Sequence, residues 1–187
     1  MFRKVLLCLL CTFGLLFSKD INIAVVTHGT DTDTFWSVVK NGVNNAKEDM
    51  NVNVSYRNPS SGDLTEMARL IDSAIARRPD ALVVSIPDVN ALEKSIKRAV
   101  KLGIPVITIN AGAAFGKKNG ALLHVGQSEY NAGLQAGKKA KEAGIKTFLC
   151  VNHEITTISL EQRCQGFADA LGVKNNMLDV GVDPSEI

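Results

Sequence analysis

The chain has 187 residues, 45% of them hydrophobic and 21% charged, with 21 basic against 19 acidic side chains. That length holds one ordinary domain, or one domain and part of another, and the composition can bury a sizeable core. There is no Arg-rich run or basic stripe, so nucleic acid is disfavoured as a partner.

Met1 to Ser18 reads as a secretory signal peptide. Arg3 and Lys4 form a positive start, Val5 to Phe17 is apolar apart from Thr12 and Gly14, and Ser18 is a small residue ahead of polar Lys19-Asp20. The apolar part is short for a membrane span. Leu16 stands where a small residue is preferred before cleavage, which keeps an uncleaved anchor open. Cys8 and Cys11 each follow Leu, unlike a lipoprotein cysteine. Without Arg3 and Lys4, 19 basic residues face 19 acidic ones. The exported part keeps Cys150 and Cys164. They are either a disulfide, as an oxidising compartment allows, or two buried thiols, since Cys164 falls on an apolar helical stripe.

Apolar runs then alternate with helical patterns. Ile21 to Thr27 is a predicted strand, and Phe35, Val38, Val39, Gly42, Val43 and Ala46 recur at helical spacing. Val52 to Tyr56 alternates like a strand. Asp63 and Glu66 form a predicted capping box for a helix with Leu64, Met67, Ala68, Ile71, Ala74 and Ile75 on one face, ending before Pro79. Ala81 to Ser85 is a third strand, followed by a helix marked by Leu92, Ile96, Ala99 and Val100 and closed by Gly103. Pro105 to Ile109 is a fourth strand, with a Gly- and Ala-rich loop to Gly120, and Ala121 to Val125 is a fifth. Ser128 caps a helix with a small-residue face of Ala132, Gly133, Ala136, Gly137 and Ala140. Thr147 to Val151 is a sixth strand, Leu160 to Leu171 carries the last helical stripe, and Met177 to Val182 starts another strand. Strands alternating with helices of this length imply βαβ units around a parallel sheet buried on both faces.

Asp33 to Trp36, the segment Asp80 to Asp88 (DALVVSIPD), Gly103 to Asn110 (GIPVITIN) and Arg163-Cys-Gln-Gly-Phe167 occur in an order and spacing that resembles the ribose-type periplasmic sugar-binding proteins. The resemblance runs from about Asn22 to about Leu171. It implies a type I periplasmic binding fold: a doubly wound α/β parallel sheet of the 2-1-3-4-5 type, with a second α/β lobe and the ligand in the cleft between them. On that likeness the signal peptide is 1–18, the first lobe 19–126 and the second lobe 127–187. The family's second lobe is longer and its chain crosses back, so this chain is expected to be truncated and its second lobe incomplete.

The expected ligand residues are Asp33, Phe35, Trp36, Asn110 and Arg163. Trp36 lies off the apolar stripe at the mouth of a strand-to-helix loop, where it offers a stacking face for a sugar ring or packs on a neighbouring loop. Phe35 is core by periodicity and a ligand contact by resemblance. Asp33 is a hydroxyl acceptor, a helix N-cap, or both. Asn110 follows the fourth strand. The family usually has an acidic residue followed by Arg at Asn110-Ala111, and the change leaves the identity of the sugar open. The resemblance makes Arg163 a clamp on sugar hydroxyls from the second lobe, against the alternative of a solvated helix arginine. Ser85 and Gln127 are weaker candidates.

Other signals are discounted. Asp31 and Asp33 resemble the paired aspartates of a phosphatase, but three residues separate Asp31 from Thr27 and Phe35 fills the place of a Thr or Val. His28, His124 and His153 are scattered without metal-ligand spacing and read as loop or surface histidines. The Ala111 to Gly116 run lacks a dinucleotide fingerprint. No catalytic residue, metal or cofactor is expected. The expected function is a non-enzymatic, monomeric periplasmic protein that captures a monosaccharide or polyol for the membrane permease of an ABC transporter. The alternatives are a sensor feeding a chemoreceptor or kinase and, remotely, a phosphatase-like enzyme.

Overall fold

The computed structural model describes residues 20–153 and 157–180. The segment read as a signal peptide lies outside them. Five strands, β1 (Asn22–Val26), β2 (Asn53–Arg57), β3 (Ala81–Val84), β4 (Val106–Ile109) and β5 (Leu123–Val125), form a parallel sheet in the order β2-β1-β3-β4-β5. This is the expected doubly wound α/β arrangement. Its register is regular: Ala24 stands opposite Leu82, and Thr108 opposite His124.

One face of the sheet holds the core. Helix α2 (Leu64–Ala76) contributes Met67, Ile71 and Ile75, spaced four apart, and α3 (Val89–Lys101) contributes Leu92, Ile96 and Ala99. They close on Val26, Leu82, Val84 and Val106, all fully buried. Each large apolar side chain removed from water here contributes about 1.5–3 kcal/mol. Both helices start where their caps dictate. Asp63 Oδ1 accepts from Thr65 N at 2.7 Å, and Asp88 Oδ1 accepts from Asn90 N at 2.7 Å. Glu66 does not reach back to the cap residue; its Oε2 accepts from Ser60 N and Oγ, each at 3.1 Å, and so fastens the preceding turn.

The first helix, α1 (Thr34–Met50), packs against β2 and departs from its expected face. Phe35 is 53% exposed and Val38 71%, whereas Trp36 is 5% exposed and is the buried residue of the helix. A side chain in the first turn leans back over the residues before the helix. There Gly29 has no Cβ, and a Cβ at that position would stand inside the indole ring. Trp36 therefore fills the loop, and Phe35 turns outward.

The Gly- and Ala-rich loop contains a short helix, α4 (Ala113–Lys118), entered through Gly112 at φ +95°. Six residues are too few to show a periodic stripe. Beyond β5, helix α5 (Glu129–Glu142) leads to β6 (Cys150–Asn152), then α6 (Ile158–Leu171) and β7 (Met177–Asp179); β6 and β7 pair in parallel. The sixth strand starts three residues later than the apolar run implies.

Helices α5 and α6 meet backbone to backbone. A Cβ on Gly133 would press on the Arg163 carbonyl, one on Gly137 on the Phe167 carbonyl, and one on Gly166 on the Tyr130 carbonyl. Cys150 and Cys164 form a disulfide, with Cα atoms 6.0 Å apart, tying β6 to α6.

Candidate ligand site

In an open parallel sheet the loops leaving the carboxyl ends of the strands converge on one crevice. After β1 the chain runs through Thr27 and His28 into the loop that ends at Asp33. Thr27 is fully buried, and its hydroxyl shares a 2.7 Å hydrogen bond with the Tyr56 hydroxyl at the end of β2. Burial is the main cause that raises the Tyr56 phenol above its ordinary range.

His28 is joined to the end of β3. Its backbone N donates to Ser85 Oγ at 3.1 Å, and its Nδ1 lies 2.8 Å from the same oxygen. Its ring also meets Trp36 edge to face, with centroids 4.8 Å apart. His28 is a loop histidine, as expected from sequence, and it is also part of the frame that holds that loop. Ser85 is fully buried beneath it. Only the fold reveals this grouping, because 57 residues separate the two partners.

Asp33 caps α1. Phe35 N and Trp36 N both donate to its Oδ1, at 2.8 and 3.4 Å. Both bonds go to one oxygen, so Oδ2 can take a hydroxyl donor without disturbing the cap. The Phe35 and Trp36 rings stand nearly perpendicular with centroids 5.1 Å apart, so the buried indole supports the exposed phenyl.

A cavity of about 220 Å³ lies between α1 and the end of β2, lined in part by Asp31, Trp36, Lys40, Tyr56 and Asn58. Lys40 sits 3.3 Å from Asp31 and 5.6 Å from the Tyr56 ring centroid.

Asn110 follows β4 in the left-handed region, at φ +57°, which asparagine tolerates better than most residues. Its N–H donates to Val125 O at 3.0 Å, and the next residue, Ala111, accepts from Ile86 N at 3.1 Å. The turn is thereby fixed to both neighbouring strands. Thr108 and His124 lie beneath it. Thr108 Oγ1 is 2.9 Å from His124 Nδ1, and His124 Nε2 is buried without a partner. Burial pushes the His124 pKa below its ordinary value.

Arg163 belongs to α6. Its Nε donates to Glu129 Oε2 at 2.5 Å, and Nη2 approaches the same oxygen. The Arg163 side chain is 50% exposed and the Glu129 side chain 9%. The sequence carries no sign of this pair, since its members are 34 residues apart on different helices. The start of α6 touches the five-stranded unit directly, with Ile158 N donating to Pro87 O at 3.3 Å. The fold thus gathers Asp33, Phe35 and Trp36 in one turn, sets Asn110 on a loop at the same sheet end, and carries Arg163 on the second unit. Gln127 is exposed just before α5. Among the described residues no group of three or more His, Cys, Asp or Glu side chains could hold a metal ion. No described helix is long and apolar enough to cross a membrane.

A 2-1-3-4-5 parallel sheet with polar and aromatic groups at its carboxyl end, approached there by a second α/β unit, places the chain in the class of doubly wound α/β proteins that can take a ligand at that end. Within that class the chain belongs to the periplasmic binding protein domain family, whose model matches residues 23–185. It is 38% identical to a carbohydrate transporter from Acidothermus cellulolyticus 11B in a crystal structure with myo-inositol, with a TM-score of 0.81 over 88% of this chain and 57% of that one. A periplasmic sugar-binding protein of an ABC sugar transporter from Legionella pneumophila is 32% identical, with a TM-score of 0.80 over 89% of this chain and 63% of that one. The Escherichia coli K12 ABC transporter periplasmic-binding protein YphF is 26% identical over 164 residues, 82% of this chain. The chain spans 48% of YphF's length.

Proposed function

We propose that the protein is an extracytoplasmic binding protein for a monosaccharide or neutral polyol, which it delivers to the membrane permease of an ABC transporter. The observation that carries this reading is the 38% identity to a structure containing myo-inositol, across the region that holds Asp33, Phe35, Trp36, Asn110 and Arg163. In this reading 19–126 is one lobe, 127–187 is part of a second, and the exposed Gly126-Gln127 segment is the crossing between them. The exposed Phe35 ring offers a C–H stacking surface, with Trp36 behind it. Asp33 Oδ2 and the Asn110 amide hydrogen-bond vicinal hydroxyls, and Arg163 adds donors from the other side. Ligand bridging both lobes gives the closed form contacts that the open form lacks, which is the requirement for ligand-driven hinge closure. The protein acts in the periplasm as a monomer and as a carrier, not as an enzyme.

The test is a thermal-shift panel of monosaccharides and polyols, myo-inositol included, on the purified protein, with Trp36 emission as a second readout. The reading expects a saturable shift with at least one neutral compound. Flat responses across the panel in both readouts would overturn it.

A further inference from the structure

We propose that Glu129 is a positioning and specificity-determining residue, holding Arg163 so that the ligand meets its donors without meeting a net positive charge. This rests on the reading of Arg163 as a ligand contact.

Glu129 is the one charged residue that is buried among the described residues. A carboxylate removed from water is costly unless it is closely paired. Its partner here is Arg163, and both contacts fall on Oε2. Neither helix can slide to release the pair, because Gly133, Gly137 and Gly166 bring the α5 and α6 backbones into direct contact. The Arg163 side chain is nevertheless half exposed. Glu129 thus takes the Nε–Nη2 edge of the guanidinium and leaves Nη1 to point elsewhere.

Two consequences follow. The guanidinium is oriented before ligand arrives, so little is lost in ordering it. Its charge is also cancelled at contact distance, so a neutral hydroxyl gains a well-aimed donor while a carboxylate or phosphate meets a paired, neutral couple. The site then prefers a neutral polyol to the corresponding sugar acid or sugar phosphate, and Glu129 sets that preference.

The experiment compares binding of a neutral ligand identified by the panel with binding of D-glucuronate and myo-inositol monophosphate, in wild type and in Glu129→Gln, by calorimetry at low and moderate salt. The glutamine keeps an acceptor for Arg163 but removes the charge. The neutral ligand should change by no more than about threefold, while the acidic compounds should gain about tenfold or more, most strongly at low salt. Glu142→Gln, which alters an exposed acid on the same helix, should leave the ratio unchanged. An unmoved ratio in Glu129→Gln, or an equal change in Glu142→Gln, overturns the proposal. If Glu129→Gln does not fold, wild type decides: acidic compounds binding as tightly as the neutral ligand, and tighter at low salt, contradict it. Weak, salt-insensitive binding of the acids supports it. Failure of wild type to bind any neutral polyol overturns the transport reading and this inference with it. Neutral binding with an unmoved ratio overturns this inference alone.

Discussion

Replacing Gly29 with Ala should disturb the site more than one methyl group suggests. The Gly29 backbone lies outside the left-handed region, so alanine is conformationally allowed there. Taken alone, the change would stabilise the fold by about 0.4–1 kcal/mol by restricting the unfolded chain. The new methyl, however, would stand within the Trp36 indole, which is 5% exposed and also packs on His28 and Phe35. Overpacking of this kind costs about 1–3 kcal/mol. The balance is a net loss of about 1–2 kcal/mol, or about 2–8 °C in Tm for a chain of this size. Trp36 is the only tryptophan, so emission reports this ring alone. In Gly29→Ala its emission should shift to the red and iodide quenching should rise, while denaturant unfolding moves to lower concentration. Gly42→Ala is the control. A Cβ there meets open space within α1, and the substitution should stabilise by about 0.5–1 kcal/mol with unchanged emission. A Gly29→Ala protein as stable as wild type with the same emission maximum would refute the packing described for Trp36.

Three further outcomes are expected. Removing the Cys150–Cys164 disulfide by a double Cys→Ser change, or by reduction, reopens a loop with a sequence separation of 14; chemical denaturation should show a loss of about 2–3 kcal/mol, and no loss would contradict a structural role. Ile158 is the first residue of α6, where proline is tolerated, so Ile158→Pro deletes the N–H that Pro87 O accepts without breaking the helix. Ligand affinity should fall about fivefold with far-UV dichroism unchanged, and full affinity would show that this contact between the two units does not support binding. His124 titrates below its ordinary 6.5 when folded, so the unfolded chain takes up a proton first as pH falls. Stability should be fully present above about pH 6.5 and decline below it until the folded pKa is reached. Urea midpoints between pH 5 and 8 should show that decline in wild type and less of it in His124→Gln; parallel curves would refute the assignment.

The elements read well from sequence where their cause is local. Continuous apolar runs mark the strands, but the expected burial on both faces is not reached: β3 and β4 alternate buried with half-buried residues, and Leu123 and Val125 on β5 are exposed. Asp33, Asp63 and Ser128 cap helices through bonds to residues two or three positions away. The misreadings arise where distant packing decides. Periodicity put Phe35 inward and Trp36 outward, but a glycine seven residues before Trp36 gave the larger ring a place to lie. Val38 is exposed for a related reason: α1 packs against β2, and its expected apolar stripe does not face the main core. Helix α4 is too short to show a period. The links from His28 to Ser85 and from Glu129 to Arg163 join residues far apart in the chain, and neither residue type at its own position announces its partner.

The central question is whether a neutral polyol binds at the place where Asp33, Phe35, Asn110 and Arg163 are set. Isothermal titration of the purified protein with the strongest neutral ligand of the panel measures this, with Phe35→Ala titrated alongside. One saturable site per chain is expected in wild type, with an affinity lower by about tenfold or more in Phe35→Ala, an exposed residue whose loss should leave Tm nearly unchanged. Equal affinity in the two proteins, or no heat with any neutral ligand, would contradict binding at that place.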